Sequence, residues 1–307
     1  MEIKAFAKKV QNVLERELGG NYRVELKEVR KNNGVILQGL LILPKGRNVV
    51  PTIYLDSFWE AYESGMPFAV VIRRLLAVYR EDMPDEDIDM EYFKYFEKVR
   101  DRICYRLINR EENRELLEEI PHIEFLDLAI CFYYAYQGKV LGEGSILITN
   151  SHVEMWKTTT TELLALAQVN TPRLYPWSCL SMEDVMREIV EQESSGKPEE
   201  CEPDLWAELP MRVLSNTKRT YGAVCMIYPG VLEKLAAEIG QDFYILPSSV
   251  HEVIFLRDIR ADGENALRDM IMEINRTQVA PEEVLSDQLY HYDVLEKKIK
   301  IVSKTIS

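Results

Sequence analysis

The stretch from Tyr22 to Leu43 restricts the possible fold more than any other. Tyr22, Val24 and Leu26 alternate with charged residues, the two-residue period of a strand with one face buried. Asn33-Gly34 follows, a dipeptide that tolerates the positive φ of a tight hairpin turn, and GVILQGLLILP resumes as a second strand. So short a connection pairs its strands antiparallel, since a parallel partner needs a long crossover. VVPTIYLD supplies a third short strand. Helical patterns flank this sheet. Before it, Ile3, Phe6, Val10, Val13, Leu14 and Leu18 recur at helical spacing until Gly19-Gly20. After it, SFWEAYESG reads as a helix with Asp56 or Ser57 as N-cap and Gly65 as its stop.

The same mixture continues. Phe68 to Tyr79 and Met90 to Val99 read as helices, ICYRLIN as a strand, and ENRELLEEI as a helix. FLDLAICFYYAYQ and GSILITNSHVEMW read as paired strands about a turn at Gly138 to Gly144. Thr158 to Thr161 offer caps for ELLALAQVN, a helix expected to end before Pro172. VEQESSGKPEECEPD then loses its apolar residues and reads as a linker. Beyond it, MRVLSNT, GAVCMIYP, FYILPSS and HEVIFLRD are expected strands. VLEKLAAEI and ENALRDMIMEINRT are helices, and LYHYDVLEKKIKIV is a terminal hairpin. The expectation is an α+β chain of repeated units, each an antiparallel sheet packed with helices. Their bounds are 1–100, 101–190 and 205–307, with a linker at 191–204. A short internal likeness sets SILITNSHVEMW beside YILPSSVHEVIFL, which would give His152 and His251 equivalent places.

Charge and hydropathy exclude several classes of function. The balance of 37 basic against 51 acidic residues leaves a net charge of -14, which opposes approach to nucleic-acid phosphates and to anionic lipid. The longest apolar stretches, Val35 to Leu43 and Phe125 to Tyr136, are interrupted by Gln38 and Asp127 and are far shorter than a membrane span. The amino-terminal helix has no apolar h-region. Five cysteines, at 104, 131, 179, 201 and 225, form no CxxC and are an odd, scattered set, as expected of reduced thiols in the cytoplasm.

Candidate chemistry concentrates between Asp242 and Asp293. Ser248, Ser249, His251 and Glu252 interrupt one apolar run, while Asn275, Thr277 and Gln278 end a helical pattern before Pro281. His251-Glu252 starts a zinc-protease phrase, but Phe255 stands where its second histidine is required. Ser249 and His251 would share a strand face, yet neither serine sits in GxSxG. Asp85, Asp87 and Asp89 imitate the start of a calcium loop, with Met90 in place of the required glycine and Phe96 in place of the closing glutamate. Phosphate-cradling loops of the GxxxxGK or GxGxxG kind are absent. No cofactor, metal or catalytic set is therefore expected. The seven polar residues read as a hydrogen-bonded cluster that serves structure or binding.

YGAVCMIYPGVLEKLA, DFYILPSSVHEVIFL, NRTQVAPEEVLSDQLYHYD and the earlier ENRELLEEIPHIEFLDLAI resemble an uncharacterised family of gut Firmicutes, domain of unknown function 5688, over essentially the whole chain. The resemblance implies a cytoplasmic bacterial protein and carries no catalytic residue across. The expected function is non-catalytic binding of an unknown protein or small-molecule partner. The alternative is a hydrolase, possibly metal-dependent, centred on His251.

Overall fold

Phe6, Val10 and Leu14 recur every four residues, and this face of helix α1 (Ile3–Leu18) is buried to the last atom. It covers a three-stranded antiparallel sheet in the order β1 (Tyr22–Arg30), β2 (Ile36–Pro44) and β3 (Thr52–Tyr54). The computed structural model describes residues 2–84, 91–138, 142–185, 187, 211–247, 249–257 and 263–303. Asn33 and Gly34 both have positive φ, 57° and 67°, as the expected hairpin requires. Helices α2 (Asp56–Glu63) and α3 (Phe68–Asp82) complete this core around Leu40, Ile42, Leu55 and Leu75. Asp56 does not cap α2. Its carboxylate accepts the Gln38 backbone N–H at 2.9 Å and so fastens the helix start to β2.

The chain divides into two compact units, Met1–Phe93 with Tyr136–Gly144, and Lys94–Ala135 with Ser145–Ser307. The second unit contains two antiparallel arrays, except for Tyr136–Gly144 at the β6–β7 end of the first array, which belongs to the first unit. One centres on β6 (Leu128–Gly138), which pairs with β4 (Ile103–Asn109), β5 (His122–Phe125) and β7 (Gly142–Leu147). The other has six strands, in the order β13 (Lys298–Ile301), β12 (Tyr290–Asp293), β10 (Phe243–Leu246), β11 (Val253–Arg257), β9 (Met211–Asn216) and β8 (Trp177–Ser181). Helices α4 (Phe96–Val99), α5 (Arg114–Glu119), α6 (Asn150–Trp156), α7 (Thr160–Leu174), α8 (Val231–Ile239) and α9 (Glu264–Thr277) accompany them. The fold is therefore α+β with antiparallel sheets.

Several local expectations are corrected. The run read as one strand from Phe125 is broken by a two-residue turn at Leu126-Asp127, where Leu126 takes φ 55° and β5 folds back on β6. SHVEMW is helix α6 and not strand, because Thr149 and His152 form a reciprocal cap: the Thr149 backbone N–H donates to His152 Nδ1 at 3.0 Å. His152 thus opens a helix whereas His251 precedes a strand, so the likeness between the two stretches has no structural counterpart there. GAVCMI is a 3-10 helix, Gly222–Ile227, buried from Gly222 to Met226. An apolar run buried on all sides has no period from which strand and helix can be told apart. Helix α7 continues through Pro172, held by Asn170 Nδ2, which donates to the carbonyls of Arg100 and Ile103 at 2.8 and 3.0 Å. Strand β8 was not foreseen. The aspartates of the imitated calcium loop and the expected linker at 191–204 lie outside the described residues. Among the described residues no helix is long and apolar enough to cross a membrane.

Candidate binding site

Strand β9 ends in two buried polar residues, Ser215 and Asn216, and the site grows from them. Asn216 Oδ1 accepts the backbone N–H groups of Lys218 and Thr220 at 3.0 and 3.3 Å, and its Nδ2 donates to the Thr220 carbonyl at 2.8 Å. One side chain thereby winds five residues into a tight loop. Arg219 and Tyr221 are driven to φ 50° and 53°, left-handed backbone that non-glycine residues occupy at a cost of order 1–3 kcal/mol. The strained Tyr221 presents its ring flat on His251, with centroids 5.8 Å apart and planes 12° from parallel. The Arg106 guanidinium of β4 stands 4.6 Å from the centre of the same ring.

His251 is held on every side. Its backbone N–H donates to Ser249 Oγ at 3.1 Å, and its carbonyl accepts the Ser215 hydroxyl at 2.7 Å. Its ring Nδ1 accepts the Tyr221 backbone N–H at 3.2 Å. A backbone N–H can only donate, so Nδ1 carries no proton and the neutral ring is protonated at Nε2. That atom lies 3.4 Å from Glu283 Oε1, and both side chains are partly exposed.

A second set of bonds ties the segment carrying Glu283 to the β6 array. Asp127, in the β5–β6 turn, accepts the Ser286 hydroxyl at 2.6 Å and the Tyr290 hydroxyl at 2.5 Å. Burial, with the Asp127 carboxylate beside it, pushes the Tyr290 phenol well above its ordinary range. Asn109 Nδ2 donates to the Leu285 carbonyl, and Asn275 Nδ2 to the Ser286 carbonyl and to Asp287. Ser286 and Tyr290 have no exposed surface. Asp127→Ala would strand both hydroxyls and is expected to cost about 2 kcal/mol in urea unfolding. The double mutant with Tyr290→Phe should lose less than the sum of the two single changes, and strict additivity would show that the two groups act independently.

Of the seven polar residues singled out from sequence, the structure brings Ser249, His251 and Asn275 into these linked networks. Thr277 bonds the Glu273 carbonyl and Gln278 bonds Thr277, both exposed at the end of α9. Glu252 is half-buried ahead of β11, and Ser248 lies outside the described residues. Arg106, Asn216, Tyr221, Glu283, Asp127 and Ser286 were missed. Arg106 had a visible signal, a single charge inside the apolar strand ICYRLIN. Cys104 and Cys225 are no nucleophiles at neutral pH, because burial pushes both thiols up to about 12. Among the described residues no group of three or more His, Cys, Asp or Glu could hold a metal ion.

A family model described as a family of unknown function (DUF5688) matches residues 3–294. No curated protein and no solved structure matches the chain.

Proposed function

The chain belongs to this family of unknown function, DUF5688, and we propose that it is a non-catalytic binding protein whose binding surface includes Tyr221, His251 and Glu283. The observation that favours binding over hydrolysis is the double engagement of the His251 ring. A general base needs a free nitrogen lone pair directed at the proton it removes. Here the Nδ1 lone pair is taken by the Tyr221 amide and the Nε2 proton faces Glu283. Ser249 Oγ is engaged by the His251 backbone N–H and not by the His251 ring that would have to activate it. The strained loop supports the same reading, since backbone strain gathers where a surface must be presented in one shape. The net charge of -14 favours a protein or small-molecule partner over nucleic acid. Free cysteines at 104, 131, 179 and 225 support a place in the reducing cytoplasm.

Treated with a fluorophosphonate probe and with chromogenic esters, the protein is expected to show neither labelling nor turnover above buffer. A thermal-shift screen of small molecules should yield ligands whose effect is lost in Tyr221→Ala. An adduct on Ser249 that disappears in His251→Ala would replace the binding protein by a hydrolase.

A further inference from the structure

The register of the β6 array places Arg106 opposite Cys131 and Cys131 opposite His122, so these three side chains form one row across β4, β6 and β5 on a single face. Arg106 is half-buried, and its Nε is buried without a hydrogen-bond partner. The groups beside the guanidinium are the Cys131 thiol and the Tyr221 ring, with the Tyr133 phenol close enough to act on its charge. Among the described residues no carboxylate is one of them. Other arginines of this acidic chain find one: Arg100 pairs with Glu97, Arg110 with Glu124 and Arg212 with Glu238. An arginine taken partly out of water without a counter-charge costs stability unless something else neutralises it.

The surroundings narrow what that could be. Along the same face the row is flanked by buried core, Cys104 with Tyr133 and Ala135 on one side and Ile108 with Leu117 and Ala129 on the other, so the partly exposed Tyr221 ring is the apolar surface left beside the guanidinium. At the end of the row, His122 Nδ1 lies 3.1 Å from the Ile120 carbonyl and donates to it. A single guanidinium offers a planar fork that matches the two oxygens of one carboxylate. A phosphate dianion would call for a second cation, and the row has no other permanent one.

We propose that Arg106 anchors a site for a small monocarboxylate with an apolar body, the carboxylate on the guanidinium fork and the body against the partly exposed ring of Tyr221. This deepens the binding reading by naming the ligand class on the surface that Tyr221 shares with His251.

Isothermal titration of the full chain with benzoate, acetate and inorganic phosphate tests it. Benzoate should bind more tightly than acetate, because only benzoate has an apolar body to bury, and phosphate should bind least. Arg106→Gln should weaken benzoate by about tenfold or more, charge-assisted hydrogen bonds being the stronger kind. Should that variant fail to fold, Arg106→Lys retains the charge without the fork and should also bind benzoate more weakly than wild type. No benzoate binding, unchanged affinity in a folded variant, or a preference for phosphate would overturn the site. Benzoate binding together with ester hydrolysis would leave the site standing and remove the non-catalytic reading. Neither binding nor hydrolysis would remove the site alone.

Discussion

Between pH 9 and pH 11 the protein is expected to lose on the order of 5 kcal/mol of stability, enough to unfold a chain of ordinary stability. Cys104 and Cys225 have no exposed surface, and burial pushes each thiol from 9.0 up to about 12, with smaller opposing pulls from Thr171 on Cys104 and from Tyr228 on Cys225. The folded chain therefore keeps these two protons, and those of the Cys131 and Cys179 thiols that burial also raises, where the unfolded chain releases them from pH 9 upward. The stabilisation is complete below pH 9 and is lost as the pH rises toward 12. Each thiol contributes a loss on the order of 1 kcal/mol per pH unit in that window. Burial raises the phenols of Tyr105, Tyr133, Tyr228 and Tyr290 as well, which steepens the loss above pH 10. Urea unfolding at pH 8, 9, 10 and 11 measures the slope. Cys104→Ala with Cys225→Ala lowers stability at pH 8 by leaving small voids, yet should flatten the descent between pH 9 and 10. Stability unchanged to pH 11, or an equal slope in the double variant, would show that these thiols titrate alike in both states.

Gly222→Ala is expected to destabilise by at least about 3 kcal/mol, the upper part of the range for overpacking. A methyl group there would collide with Ser215 Oγ, the His251 carbonyl oxygen and the Asn216 backbone nitrogen. Two of those three atoms belong to backbone held by β9 and by the His251 loop, so no side-chain rotation relieves the clash. The Ser215 to His251 hydrogen bond and the Tyr221 to His251 stack lie at the same contact and should loosen together. Gly20→Ala is the matched control, since a methyl group there meets nothing within 4 Å. The comparison is a pair of urea curves, and equal midpoints would show that the loop recedes to admit the methyl group.

What could be read from sequence was whatever neighbours within a few residues decide. The face of α1, the Asn33-Gly34 hairpin, helices α8 and α9 and the terminal β12–β13 hairpin follow from a periodic pattern or from turn residues acting over one or two turns of chain. His251 and Asn275 were also legible, as polar residues at apolar borders that had to find partners. The partners themselves were not. Arg106 and Tyr221 are 115 positions apart by their numbers and meet because β4 and the loop after β9 share one unit. Asp127 and Tyr290 meet in the same way, across 163 positions. GAVCMI is a 3-10 helix whose Gly222 packs too closely on β9 and the His251 loop to admit a Cβ, a contact that no local pattern records. The role of His251 was likewise open, since whether a ring nitrogen is free or occupied depends on where a distant amide N–H lies. The composition decided that this histidine needs partners, and the tertiary structure alone decided that they are the Tyr221 amide and Glu283.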